Sequence, residues 1–363
     1  MNILEINLIT ITLCALFFPV VGNSKVTKKL FLSISILLIF LINVLRYPLI
    51  GTDMERYYRH FSSIGRLTSL KQFFNYDQEY GYKFLQLTVS RLFDDFQIFI
   101  IIVGIIIFSS YYFFIKKYSV NYYYSIFFFI TIGFYDFSFT GLRQSLALAV
   151  GVFAYHFAFK RNLKQFCLII VLASSFHIAA VVLIPVYFFV NYQIKYRDIL
   201  LLIPFFGIFY FSRESIGSLL NYIYYDSTET TYVSEGGFSG LALLLIMIIL
   251  VGFILESPFS IKTSKLSKGL LNILIAGVFI QVISSYAYSF SRLSYFYLVT
   301  LIIYIPELIS LKTGKCIYFD KNIEVIIKII SAVLLLLVFL SMYLDLIDTG
   351  GTNALPYFFF WER

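Results

Sequence analysis

Charge is scarce in this chain. Asp, Glu, Lys and Arg make up only 13% of its 363 residues and hydrophobic residues 60%, where soluble domains carry roughly 25% charge. Together with a mean hydropathy of +0.85, this excludes a soluble globular protein and indicates an integral membrane protein. Cysteine is scarcer still. Cys14, Cys167 and Cys316 lie far apart, form no CxxC pair and have no companion His, which excludes a disulfide scaffold and a zinc motif; they read as packing residues. No metal or cofactor is expected. A cleavable signal peptide is not expected either. Glu5 precedes the first apolar run, no Lys or Arg does, and no small-residue cleavage pattern follows, so the first segment reads as a membrane helix. Strand-like alternation is missing: residues 98–115 and 241–255 are apolar on every face, which excludes a transmembrane β-barrel. There is no repeat of 20 to 50 residues and no low-complexity linker.

The expectation is therefore an all-α, polytopic membrane bundle forming one domain over residues 1–363. Apolar stretches of the roughly 20 residues needed to cross a bilayer lie near 4–21, 30–45, 96–115, 121–138, 143–159, 165–190, 238–255, 269–289, 293–311 and 323–343. Two shorter pieces, 82–93 and 199–211, suit re-entrant or interfacial helices. If neither crosses, there are ten spans; a twelve-span version counts both. With ten, all the Lys-rich loops (Lys25/Lys28/Lys29, Lys116/Lys117, Lys160/Arg161/Lys164, Lys262/Lys265/Lys268, Lys312/Lys315/Lys321/Lys328) fall on one side, cytoplasmic by the positive-inside rule. That side carries fifteen bases against four acids, and the other thirteen bases against sixteen acids, so the net +8 divides as +11 inside and −3 outside. A net positive charge divided in this way reports topology, and no nucleic-acid partner is expected.

The outer set is rich in Arg, whose forked guanidinium suits phosphate and carboxylate oxygens, although exposed Arg also forms ordinary surface ion pairs. Its main outer loops are about 46–81 and 191–237. In the first, Pro48 and Gly51 break a span, Thr52 or Asp53 can cap a helix, and Tyr57 and Phe61 follow Asp53 at i+4 and i+8. Glu79 follows before Gly81. Asp53 and Glu79 could form a carboxylate pair at one mouth, with a carboxylate beside an apolar pocket holding its pKa near working pH as a general base. The plainer readings are a capping Asp and solvated loop charges. Arg143 and Gln144 open a span at its outer end, where the helix N-terminus, Gln144 and Ser145 would cradle a phosphate; the alternative is an Arg snorkelling to the interface. His177 falls about 18 Å into its span at 1.5 Å per residue, either a functional intramembrane group or a packing His bonded to Ser174 or Ser175. His156 and His60 have less in their favour, His60 reading as a surface-helix residue. Arg292, at another outer edge among Tyr and Phe, could join Arg143 around one anion, and the Tyr-rich loop 212–237 mixes aromatic and acidic groups suited to sugars.

The ordered set Arg46, Gly51-Thr52-Asp53, Tyr57, Glu79-Tyr80-Gly81-Tyr82, Leu142-Arg143-Gln144-Ser145-Leu146-Ala147, Phe176-His177 and Arg292-Leu293 resembles the EpsG family, polymerases of the Wzy type that build bacterial exopolysaccharides and O-antigens. The resemblance runs through about the first 190 residues and resumes at Arg292. It implies a membrane glycosyltransferase of the bacterial cytoplasmic membrane that works on its outer face. The growing glycan would pass from a polyprenyl-pyrophosphate carrier to the next lipid-linked oligosaccharide, with a chain-length regulator as a partner. On that reading Arg46, Arg143 and Arg292 would bind the pyrophosphate with Gln144 beside them, and Tyr57 and Tyr82 would meet the glycan. Asp53 first and Glu79 second would be the base, with His177 orienting a carboxylate or lining a lipid groove. A flippase for the same lipid-linked unit is the competing class, but the chain lacks the two related halves usual there. An acyltransferase ranks last, since His156 has no acid nearby.

Overall fold

A computed structural model of the chain describes residues 9, 12, 24–224, 240–255, 263–284, 291–310, 320–349 and 354–362. Among them every regular element is helical, and the β-type pairing is a single bridge between Arg46 and Phe359. The chain is an all-α membrane protein. Among the described residues, five helices are long and apolar enough to cross a bilayer: Lys25–Val44, Phe96–Tyr118, Leu142–Phe159, Lys265–Ile283 and Lys321–Asp348. Arg197–Phe211 and Arg213–Leu219 pass together but are bent by 62°, which would make a sixth.

Several expected spans are broken, and the breaks have local causes. The 121–138 stretch is two helices, Tyr122–Thr131 and Phe134–Phe137, parted at Gly133, whose φ of +100° lies in the left-handed region that favours glycine. The 165–190 stretch ends as an α-helix at Phe176, passes through His177 into a 3-10 turn over Ile178–Leu183, and resumes after Pro185 as Val186–Phe189. The 293–311 stretch divides into Ser291–Leu298 and Leu301–Leu308. The expected first span, 4–21, lies almost wholly outside the described residues. The short piece at 82–93 is the helix Tyr80–Phe93, which buries Tyr82, Lys83, Gln86, Val89 and Ser90 on one face.

The chain divides into two compact units. The first comprises Met1–Ala154, Cys167–Val181 and Leu334–Arg363. In it Lys25–Val44 packs against Phe96–Tyr118, which also meets Tyr80–Phe93, and the latter packs on the amphipathic helix Met54–Gly65. Gly104 lets the two long helices approach, since an added Cβ would overlap a Val44 methyl. The two helices run antiparallel. Lys25, Lys28 and Lys29 line a small cleft with Ser119 and Val120 at one end, and Gln97 donates to the Val44 carbonyl at the other. The basic loops thus gather at the end opposite Arg46. The second unit comprises Tyr155–Phe166 and Val182–Val333. Its central helix, Lys265–Ser284, packs on Ser291–Leu298 and Gly240–Leu255, and Asn272 donates to the Phe189 and Tyr192 carbonyls at 2.9 Å each.

Candidate functional site

Within the first unit, Arg46 fixes the ground on which the site stands. Its side chain is fully buried, lies 4.6 Å over the Phe139 ring, and donates to the carbonyls of Asn43 at 2.6 Å and Phe139 at 3.2 Å. Burial lowers its pKa to about 10, so it stays cationic at neutral pH. Gly51 follows at φ +121°, where an added Cβ would overlap the Phe139 carbonyl oxygen. Thr52 and Thr140 hydroxyls then meet at 2.7 Å, and Thr140 Oγ1 accepts from the Asp53 amide at 3.2 Å. These contacts seat the start of Met54–Gly65 beside Leu142 and Arg143. Asp53 holds the N-cap position as expected, but its side chain makes no capping bond.

Three of the residues singled out in the sequence converge here. Arg143 Nη1 donates to Glu79 Oε2 at 2.8 Å, and His177 Nδ1 meets Glu79 Oε1 at 2.7 Å. One carboxylate therefore joins three distant parts of the chain. All three side chains are mostly buried, with 22%, 17% and 26% of Arg143, Glu79 and His177 exposed. Burial alone would push the Glu79 pKa up, but the His177 hydrogen bond and the Arg143 charge outweigh it and hold the group down at about 2. The expectation of a carboxylate poised near working pH is corrected on this point, because the partners of Glu79 stabilise its charged form. His177 does not sit mid-helix bonded to Ser174 or Ser175. It terminates the helix, and Ser175 Oγ donates instead to the Leu172 carbonyl at 2.7 Å. Gly81 makes the convergence possible, since an added Cβ would overlap the Ser175 hydroxyl and lie 2.9 Å from its carbonyl oxygen.

Around this ion pair is a cavity of about 580 Å³ lined by Arg56, Tyr57, His60, Asp77, Gln78, Glu79, Tyr80, Arg143, Ser174, Ser175 and Ile178. Tyr57 is buried beside Arg143. Burial raises its pKa, with Arg143 opposing the rise. Tyr82 is fully buried, edge-on to Tyr57 with ring centroids 5.9 Å apart. Burial pushes its pKa well up, and its hydroxyl has no hydrogen-bond partner among the described residues. Asp53, Arg46, Tyr82, Gln144 and Ser145 do not line the cavity, and neither does His177, although Ser175 and Ile178 on either side of it do. Gln144 and Ser145 are buried in the first turn of Leu142–Phe159, leaving Arg143 as the cavity-facing member of the expected cradle. Arg292 lies exposed at the start of Ser291–Leu298, in the second unit.

Sequence reasoning passed over His60, Arg56, Gln78 and the two serines as cavity residues. Arg56 and His60 are i and i+4 on one helix, flanking the Tyr57/Phe61 stripe, a spacing that an ordinary solvated helix face shares. Among the described residues no group of three or more His, Cys, Asp and Glu could hold a metal ion.

The chain is thus a helical membrane protein in which an Arg143–Glu79 ion pair, extended by His177, lies beside a polar cavity. The model of the EpsG family matches residues 29–359, and the chain belongs to that family, a Wzy-like family of polysaccharide polymerases. No curated protein and no solved structure matches the chain.

Proposed function

We propose that this membrane protein polymerises lipid-linked oligosaccharide repeat units by glycosyl transfer, using a polyprenyl-pyrophosphate-linked oligosaccharide as donor and another as acceptor. The single observation that carries this reading is the Arg143–Glu79–His177 relay beside the polar cavity. Glu79 accepts from His177 Nδ1–H, which leaves Nε2 as the nitrogen that would act as a base. In the step, His177 Nε2 takes the proton of an acceptor hydroxyl while its oxygen attacks the anomeric carbon. The bond from that carbon to the carrier pyrophosphate breaks with its electron pair, and the Arg143 guanidinium meets the charge that develops on the leaving group.

This assignment moves the base away from the carboxylates. Glu79, held at about 2, is a feeble base at neutral pH, and Asp53 is not part of the Arg143–Glu79–His177 cluster. Glu79 instead orients His177 and Arg143. Arg46, Tyr57, Tyr82 and Gln144, all buried, are support for Arg143. The reaction would take place on the outer face of the bacterial cytoplasmic membrane, in a ten-span topology with the Lys-rich loops inside and a chain-length regulator as partner.

In cells making the polymer, His177→Ala and Arg143→Ala, with protein levels matched, should each reduce the product to single repeat units. Polymer of normal length and amount from either variant would sink the proposed roles. Loss of all exported units would point instead to transport.

A further inference from the structure

The wall of the cavity carried by Met54–Gly65 is not used by the relay, yet it is built with similar care. His60 Nδ1 lies 2.8 Å from the Tyr76 hydroxyl, while that hydroxyl lies 3.4 Å from the His60 carbonyl. The shorter contact takes the phenol proton, so we assign the imidazole proton to Nε2. Tyr76 is itself held. Lys83, 1% exposed, donates to the Tyr76 carbonyl at 3.1 Å and the Phe74 carbonyl at 3.4 Å, and its Nζ sits 4.1 Å from the Tyr80 ring centroid. Burial lowers the His60 pKa, and Arg56, Arg143 and Arg59 lower it further against the opposing pull of Asp77, so the ring is neutral. One turn before it, Arg56 lines the same cavity and has no salt bridge among the described residues. Of the two carboxylates in the lining, Glu79 is already engaged by Arg143 and His177, and Asp77 is exposed.

An edge made of a guanidinium and an Nε2–H presents donors only, which suits a group of acceptor-only oxygens. We propose that Arg56 and His60, the latter oriented by Tyr76 and Lys83, form a second anion subsite that holds a phosphate or a sugar carboxylate of the second substrate. This rests on the glycosyl-transfer reading for the identity of that substrate, but not for the existence of the subsite. The two imidazoles of the region then differ in kind: His177 offers a lone pair, and His60 offers a proton donor.

The test is titration calorimetry of the full chain in lipid nanodiscs with inorganic pyrophosphate and, separately, glucuronate as probes. Arg56→Gln, an exposed change that spares the core, should weaken binding of at least one probe about tenfold or more. His60→Ala should do the same, and His60→Gln, which restores an N–H donor, should recover most of it. Tyr76→Phe, which keeps both anion-binding side chains but frees the ring, should give an intermediate loss. The two readings fail separately: polymer loss in His177→Ala and Arg143→Ala tests the relay, and probe affinity in Arg56→Gln and His60→Ala tests the subsite. A response to pyrophosphate alone assigns the site to carrier phosphate, and a response to glucuronate alone to an acidic sugar. Affinities within twofold of wild type for both probes in Arg56→Gln and His60→Ala would overturn the proposal, whatever happens to polymer formation.

Discussion

Glu79 is the residue on which the first unit's chemistry turns, because one side chain satisfies a guanidinium and an imidazole at 2.8 and 2.7 Å. Its pKa falls from 4.5 to about 2 on folding. A carboxylate depressed in the folded state adds stability that is fully present above its unfolded value and is lost as pH falls through its folded value. Glu79→Gln should therefore lower the unfolding midpoint at neutral pH, equivalent to about 3 kcal/mol. The gap from wild type should stay level down to about pH 4.5 and close toward pH 2. Thermal unfolding in detergent across that range measures it, and a gap that widens on acidification would contradict the assignment. Tyr82 presents the reverse case, a fully buried hydroxyl without a partner among the described residues. Removing an unpaired buried polar atom costs little, and relief of its desolvation is about 1 kcal/mol. Tyr82→Phe should thus unfold at the wild-type temperature or above it, and a clear drop would mean that the hydroxyl is bonded.

At the scale of elements, the site depends on close approaches that only glycine allows. Gly81 brings the start of Tyr80–Phe93 onto Ser175, two residues before His177. Gly81→Ala should push that helix away from the Phe176 helix end and lengthen the Glu79–His177 contact. A displacement of about 1 Å at such a contact costs about 100-fold in rate. Gly207→Ala, where an added Cβ meets nothing within 4 Å, is the control and should be neutral or slightly stabilising, since alanine favours helices by roughly 0.5–1 kcal/mol. Polymer length for the two variants at equal protein level is the measurement, and equal behaviour would remove the packing argument.

This scale also shows what could be read from residues and what could not. Arg143, Glu79 and His177 stood out because ionisable groups in an apolar chain have few structural uses. Their contact did not, since it depends on a helix ending at His177 and on Gly81 admitting Ser175, neither of which has a period in the sequence. Long uniform helices such as Phe96–Tyr118 were visible from hydropathy, whereas the breaks at Gly133 and Pro185 were masked by the apolar runs around them. His60 was passed over because an amphipathic helix reads alike whether its polar face meets water or a cavity.

For the whole molecule, the ordering of charge makes a topology that can be tested directly. In the first unit the lysines of Lys25–Lys29 gather with Ser119 and Val120 at one end of the paired long helices, while Arg46 lies past the other end of Lys25–Val44. A helix of 20 residues rises about 30 Å, the thickness of the hydrocarbon core. The two ends therefore suit opposite faces of a membrane, and on the proposed topology the positive-inside rule would put the lysine end in the cytoplasm. Single cysteines at Lys117 and at Ser69, introduced after the native cysteines are replaced, should be modified by an impermeant maleimide from opposite sides, Ser69 in intact spheroplasts and Lys117 only after lysis. A further pair at Val120 and at the exposed Thr52, whose hydroxyl meets that of Thr140 at 2.7 Å, asks whether the broken 121–138 stretch crosses. Labelling of Val120 from inside and of Thr52 from outside is the outcome the ten-span topology requires. Both positions labelling from one side would remove that crossing, and with it the proposal that the relay works on the outer face.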